Sequence, residues 1–308
     1  MCALIGLSGQ VAGQVDPSRL AEAVGGSSRA PRLYDAEELN KLGLEDENAF
    51  APESSGDEDI GEQLILKEIP KDQPFRSWAE GSMFWTNNAA NVSSGQVEDF
   101  FWGGRVGFGW QPRITKNWFA DVEVSQGMYR YDKSSALDFE TLRAMASILD
   151  VEPRLGNVVL FAGIGYDRVT NDTLSNDLLN SLSLRAGAQR TFLLDRKQSI
   201  NVSLMGDWDL LTDFDPLFRH ELNFDLTYRV KLLANLSVNL GYRMSYLHYQ
   251  RVDRQDLLHL VSASVVYTPT EWMEIYANGN FAFNDSSLPF FDYNTGTVGG
   301  GLGMKIKY

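Results

Sequence analysis

The stretch that decides the fold is WGGRVGFGW, residues 102–110. Its apolar positions are Trp102, Gly104, Val106, Phe108 and Trp110, and between them stand Gly103, Arg105, Gly107 and Gly109. A period of two residues places neighbouring side chains on opposite faces of an extended chain. The stretch therefore predicts a β-strand with one apolar face and one face of glycine and arginine.

The same alternation recurs over most of residues 74–308, which we treat as one domain. Residues 221–230 show it clearly, because bulky apolar side chains alternate there with polar and charged ones. Strands of soluble sheets usually stop at about five or six residues, whereas a tilted membrane-spanning strand needs roughly 9 to 11. We count about twelve segments of the longer kind: 75–86, 99–111, 117–131, 138–150, 156–169, 179–192, 198–211, 220–232, 235–249, 256–268, 272–285 and 295–308.

The fourth segment is the weakest, because FETLRAMASIL (139–149) has a spacing that suits a helix as well as a strand. We keep it as a strand, since an even number of strands brings both chain ends to the same side of a barrel. A helix at this place would change both the strand count and the topology.

The connections between segments alternate in length. Short turn-like junctions at 111–117, 151–157, 193–198, 231–235 and 268–272 alternate with connections that include longer pieces, such as 87–98, 169–179, 210–218 and 284–296. Short turns on one side and longer loops on the other are typical of transmembrane barrels, as are aromatic girdles at the strand ends. The aromatic residues near the short junctions are Trp110, Trp118, Phe192, Tyr228, Tyr267 and Trp272.

These patterns predict an all-β fold, a transmembrane antiparallel up-and-down β-barrel of about twelve strands that contacts a lipid bilayer. No run of 18 or more apolar residues follows the first dozen positions, which excludes a helical membrane protein. The net charge of -14 argues against a nucleic-acid partner, because neutralising phosphates needs a basic face. A soluble sandwich that buries the apolar faces remains the alternative.

The last residues, GMKIKY, resemble the carboxy-terminal assembly signal of Gram-negative outer-membrane β-barrel proteins. The matching positions are Gly303, Ile306 and Tyr308, although the terminal residue of that signal is more often phenylalanine. The resemblance covers six residues and identifies no subfamily. It implies a bacterial outer-membrane location and insertion by the outer-membrane barrel assembly machinery.

Residues 1–73 differ from the rest of the chain. Residues 14–73 hold 15 acidic and 6 basic side chains and the low-complexity run ESSGDEDIGEQ, so we expect a largely disordered acidic periplasmic linker. A docking segment or partial plug is the other reading. Residues 1–13, MCALIGLSGQVAG, look like the end of a secretory signal peptide, with Val11 and Gly13 before a cut ahead of Gln14.

If the apolar faces meet lipid, the opposite faces line a lumen, and their charges can be placed by counting from the short turns. We expect a belt of mixed sign, which consists of Arg105, Asp121, Glu123, Arg143, Arg185, Asp207, Asp225 and Arg243. Opposed charges at mid-height would form the constriction of a narrow channel for small hydrophilic solutes. The same residues would form interior salt bridges in a structural or adhesive barrel without an open pore.

An outer-membrane hydrolase is the least supported hypothesis, and we predict no enzyme activity. The resemblance implies two hydrolase types to test, the outer-membrane phospholipase with its His and Ser two residues apart and the omptins with an Asp-His pair. His220, His248 and His259 fit neither spacing. The sequence contains no phosphate loop, zinc-protease or dinucleotide motif and only one cysteine, Cys2, so we predict no cofactor and no metal.

Overall fold

The computed structural model describes residues 73–171, 176–195 and 197–308, which form twelve β-strands joined by turns. Four single-turn 3-10 helices stand in the connections, at Ser135–Leu137, Pro153–Leu155, Asp215–Leu217 and Pro289–Phe291. The strands are β1 Phe75–Thr86, β2 Asp99–Trp110, β3 Trp118–Tyr131, β4 Phe139–Glu152, β5 Val158–Asn171, β6 Asp177–Leu193, β7 Gln198–Thr212, β8 Arg219–Leu233, β9 Leu236–Tyr249, β10 Arg254–Thr270, β11 Met273–Ser286 and β12 Tyr293–Lys307.

Every strand pairs with its sequence neighbours, and β1 pairs with β12, so the sheet closes into a barrel. The seam between β1 and β12 is antiparallel from Arg76 and Lys307 to Thr86 and Thr297. Closure gives every strand two partners, which membranes require because an open edge would leave backbone groups unpaired in hydrocarbon. The predicted all-β, antiparallel up-and-down barrel of twelve strands is confirmed. The ambiguous fourth segment is strand β4.

The side chains divide between the two faces as the period of two predicts. Outward positions are apolar and exposed, and Trp102 and Ile164, for example, are 49% and 51% exposed. Most strand residues that are polar or charged and less than a tenth exposed lie on the inward face, which is the reverse of a soluble sandwich. The exposed aromatic residues at the short-turn end form the predicted girdle, and they include Trp110, Trp118, Phe192, Tyr267 and Trp272.

The loops are shorter than the sequence predicted, because the strands continue into polar residues. Strand β7 extends to Thr212 and β12 begins at Tyr293, which reduces two of the longer predicted connections to 213–218 and 287–292. Backbone pairing persists there, since the amide of Asp213 donates to the carbonyl of Asn180 at 3.1 Å. Residues 87–98 remain the longest connection between strands. We call this side of the barrel the loop end and the opposite side the short-turn end.

Several expectations fall on residues that are not described. The predicted signal remnant at 1–13 and the acidic linker at 14–73 lie outside the described residues, apart from Gln73. Within the described residues, no helix is long and apolar enough to cross a membrane.

Candidate functional site in the lumen

The inward charges near the middle of the strands form a chain of ion pairs on β4 to β7. Asp167 on β5 accepts from Arg143 on β4 at 2.5 Å and from Arg185 on β6 at 2.8 Å. Arg185 also donates to Asp207 on β7 at 2.9 Å. The four side chains belong to adjacent strands, so this network follows the wall instead of crossing the lumen.

Two further pairs of opposite charges lie on the inward face near mid-strand. On β8 and β9, Arg243 donates to Asp225 at 2.6 Å, and the hydroxyl of Ser203 lies 3.2 Å from the same carboxylate. On β1 and β2, Arg105 donates to Glu80 at 2.5 Å. We call these charges the paired belt, which consists of Glu80, Arg105, Arg143, Asp167, Arg185, Asp207, Asp225 and Arg243.

Two residues of the predicted charge belt, Asp121 and Glu123, lie nearer the short-turn end. Arg76 on β1 lies within 3.0 Å of the Asp121 carboxylate and 2.7 Å of the Glu123 carboxylate. The amide of Gln111 also donates to Asp121 at 3.2 Å. These two acids therefore form a separate group, and the other six predicted residues belong to the paired belt.

Sequence reasoning missed three partners, Arg76, Glu80 and Asp167. All three lie on the inward face of their strands. Arg76 and Glu80 are four residues apart on the same face of β1, and Asp167 directly follows the outward-facing Tyr166 on β5. Extending the period of two to the ends of these segments would have found them. Their pairing depends on contacts between strands, such as that of Arg76 with Glu123 across 47 positions, which local spacing does not contain.

The wall formed by β10 to β12 contrasts with the paired belt. At the middle of these strands the inward positions carry hydroxyls, amides and glycines, with Leu260 and Val266 beside the serines of β10, and the nearest inward charges on the same strands lie toward the ends. The amide of Asn239 on β9 donates to Ser264 at 3.0 Å. We call this surface the neutral wall, which consists of Ser262, Ser264, Asn278, Asn280, Gly299 and Gly301.

Inward glycines allow large side chains to lie flat on the barrel wall. A Cβ atom at Gly107 would come within 2.4 Å of the Trp78 ring, and one at Gly165 within 2.8 Å of the Arg185 guanidinium. The Tyr276 hydroxyl passes over Gly301 and donates to Glu80. These tangential side chains occupy the wall and leave the axis of the barrel less obstructed than radial side chains would.

An apolar cluster lines the loop end of the lumen. Its rings stack in pairs, with centroids 5.6 Å apart for Phe84 and Phe101 and 4.6 Å apart for Tyr129 and Phe139. Such packing excludes water from this part of the wall. We call this group the loop-end cluster, which consists of Phe84, Ala89, Phe101, Tyr129, Tyr131, Phe139, Val169, Leu179 and Leu217.

The histidines, which a hydrolase or a metalloprotein could use, do not face the lumen. His220, His248 and His259 occupy outward positions of β8, β9 and β10. The His259 ring stacks on Phe283 with 4.5 Å between centroids, and its Nδ1 hydrogen-bonds the Tyr242 hydroxyl at 2.8 Å. Among the described residues, no group of three or more His, Cys, Asp or Glu side chains is arranged to hold a metal ion.

Comparison with known proteins identifies the fold. No family model and no curated protein matches the chain. An outer-membrane channel from Pseudomonas putida F1 has a TM-score of 0.56 at 9% identity, and the match covers 77% of this chain and 97% of that one. The translocator domain of the autotransporter NalP from Neisseria meningitidis has a TM-score of 0.42 at 11% identity, over 76% and 89%. The outer-membrane channel DcaP of Acinetobacter baumannii has a TM-score of 0.42 at 9% identity, over 75% and 96%.

The similarity to the Pseudomonas putida channel shows the fold of bacterial outer-membrane β-barrels. The exposed apolar surface agrees with this fold, since the outward side chains of such barrels contact lipid. Fold and surface are those of a protein in the bacterial outer membrane, as the sequence predicted.

Proposed function

We propose that this chain, an outer-membrane β-barrel protein, is a narrow channel for small hydrophilic solutes. The observation that carries the proposal is the partial exposure of charged side chains inside a closed barrel. Arg105 and Arg143 lie at mid-strand and point inward, yet their side chains are 25% and 30% exposed. Twelve strands enclose more space than the eight that side chains alone can fill.

Reconstitution into planar bilayers tests this proposal. We expect discrete conductance steps in salt solution, and vesicles that contain the protein should admit small sugars faster than protein-free vesicles. Absence of both across voltages and salt concentrations would contradict the channel.

A sealed structural or adhesive barrel is the second candidate, and the loop-end cluster favours it. If this cluster closes the lumen, the Tyr129→Ala and Phe139→Ala double variant should raise conductance several-fold from a near-zero level. Phe281→Ala on the outward face is the matched control, because it removes a ring that faces lipid. High conductance of the unaltered protein would exclude the sealed barrel.

We also propose that the barrel has no enzymatic activity, which the outward positions of its histidines support. Measurable hydrolysis of phospholipid or peptide by the folded protein would contradict this.

Assembly by the outer-membrane insertion machinery is a further part of the proposal. Tyr308 follows β12 directly, stacks on Phe75 with 5.9 Å between centroids, and exchanges two backbone hydrogen bonds with it at the barrel seam. We expect Tyr308→Ala to lower the amount of folded barrel in the membrane, whereas Tyr308→Phe keeps the ring and should retain it. Equal insertion of both variants would contradict a role of the Tyr308 ring in the signal that Gly303, Ile306 and Tyr308 are proposed to form.

For residues 14–73 we propose a periplasmic linker that follows a cleaved signal at 1–13. Amino-terminal sequencing of the exported protein should find Gln14. Deletion of residues 14–73 should preserve insertion and conductance, and loss of a crosslinked periplasmic protein on deletion would reveal a docking function.

A further inference from the structure

We propose that Arg190 on strand β6 is the centre of a binding site for the phosphate group of an anionic phospholipid. The site lies on the outer face of the barrel, so the inference goes beyond the channel function and applies to an open or a sealed lumen. It lies at the short-turn end, which faces the periplasm in outer-membrane barrels, and the leaflet on that side consists of phospholipids.

Arg190 lies on the lipid-facing side of the barrel. Its strand places it in line with Leu184 and Phe192, which are 41% and 40% exposed, and in the register it lies opposite Val202 of β7. Among the described residues, it is the only basic side chain on the outward face in the short-turn half of the strands. A long basic side chain at the level of the aromatic girdle extends its charge toward the phosphates of the headgroups.

Two neighbours hold the guanidinium of Arg190 in place. Its Cζ lies 4.5 Å from the centre of the Phe192 ring, which is a cation–π contact. A Cβ atom at Gly156 would come within 2.2 Å of Nη2, so the guanidinium lies directly against the glycine backbone. Gly156 has a φ of +72° in the turn between β4 and β5, a conformation that glycine adopts readily. The ring and the glycine therefore fix a cation within the girdle.

The described residues provide this cation with no anion. The Nε of Arg190 is buried and has no hydrogen-bond partner among them. The outward carboxylate of Glu152, beside the same turn, accepts from the backbone amide of Arg154 at 3.0 Å. Arg190 as a whole is only half-buried, which leaves part of the side chain open to the bilayer. A partly desolvated guanidinium attracts an anion more strongly than a hydrated one, and its planar shape suits the oxygens of a phosphate.

Lipid retention in a neutral detergent tests the inference. The barrel is purified in dodecyl maltoside and titrated with phosphatidylglycerol, and native mass spectrometry counts the lipids that stay bound. We expect Arg190→Gln to weaken the tightest binding about fivefold or more, because it removes the cation that faces the headgroup. Arg190→Lys should bind with intermediate strength, since it keeps the charge and loses the planar geometry.

Arg113→Gln is the matched control. It removes the same charge at the short-turn end, but the Arg113 guanidinium donates to the carbonyls of Thr115 and Lys116 at 3.1 and 2.7 Å. We expect this variant to keep the affinity for phosphatidylglycerol within about twofold. Equal losses in Arg113→Gln and Arg190→Gln would overturn the inference, because the lipid would then respond to the total charge at this end of the barrel.

Phosphate ions from solution are the other source of the same chemical group. Excess inorganic phosphate should leave lipid binding unchanged, since the acyl chains also hold a lipid against the apolar surface. Displacement of the lipid by inorganic phosphate would overturn the inference. Equal retention of phosphatidylcholine would do the same, because its own ammonium group neutralises its phosphate. If Arg190→Gln fails to fold, Arg190→Lys and Arg113→Lys give the same comparison. None of these results depends on conductance, so this inference and the channel function can fail separately.

Discussion

The paired belt and the neutral wall both line the inside of the barrel near mid-strand, yet different interactions hold their side chains. Each of the eight belt residues pairs with an opposite charge on a neighbouring strand, and Arg185 contacts two carboxylates while its side chain is only 5% exposed. The wall consists of short hydroxyl and amide side chains and of glycines that Phe84 and Tyr276 cover. The most conspicuous inward residues in the sequence, the charged ones, are therefore mainly engaged with one another.

The largest effect should come from removing the arginine at the centre of the belt. Arg185→Met keeps much of the side-chain volume but deprives Asp167 and Asp207 of a guanidinium. Removing one partner of a buried ion pair leaves a charge in a poorly hydrated place, and we expect a loss of about 3 kcal/mol in the free energy of unfolding. Urea unfolding of the barrel in vesicles, followed by tryptophan fluorescence, measures it.

A second variant checks that the loss is electrostatic. Asp207→Asn added to Arg185→Met should recover part of the stability, because it removes a carboxylate that has lost its arginine. If Arg185→Met alone unfolds at the same urea concentration as the unaltered protein, the belt has no structural role and its distinction from the wall fails.

Much of the barrel could be predicted from the sequence because the signal is local. An alternation of apolar and polar residues requires only neighbouring positions, so the twelve strands and their outward faces followed from it. The ends of the strands were harder to predict, because polar residues such as Asp213 resemble loop residues in the sequence. In the structure Asp213 follows the end of a strand and still makes a backbone hydrogen bond. Residues 1–72 carry no comparable periodicity, and the expectations for them stay predictions.

The candidate site could be predicted only in outline. Counting from the turns identified six of the eight belt residues, but the partners depend on how strands are staggered around the barrel. Asp121 shows the limit: its arginine is Arg76 on β1, two strands away from β3, and no spacing in the sequence connects them. The neutral wall was missed altogether, because serine, asparagine and glycine carry no distinctive pattern.

Alanine substitutions at two inward glycines should have effects of intermediate size. A Cβ atom at Gly165 would lie 2.8 Å from Arg185 Cζ, and one at Gly241 would lie 2.4 Å from the Ser262 hydroxyl. Arg185 cannot move without loosening two ion pairs, so Gly165→Ala should cost about 1–3 kcal/mol. Ser262 can rotate, so Gly241→Ala should stay within about 0.5 kcal/mol. Both are measured by urea unfolding, and equal losses would contradict a rigid belt beside an adaptable wall.

The smallest effect on stability should come from the wall itself. Ser264→Ala removes the acceptor of the 3.0 Å hydrogen bond from Asn239, and a neutral hydrogen bond contributes about 1 kcal/mol or less to the free energy of unfolding. Ser264→Thr keeps a hydroxyl at this position and is the control for stability. A loss of several kcal/mol in Ser264→Ala would mean that the wall, like the belt, contributes strongly to the stability of the barrel.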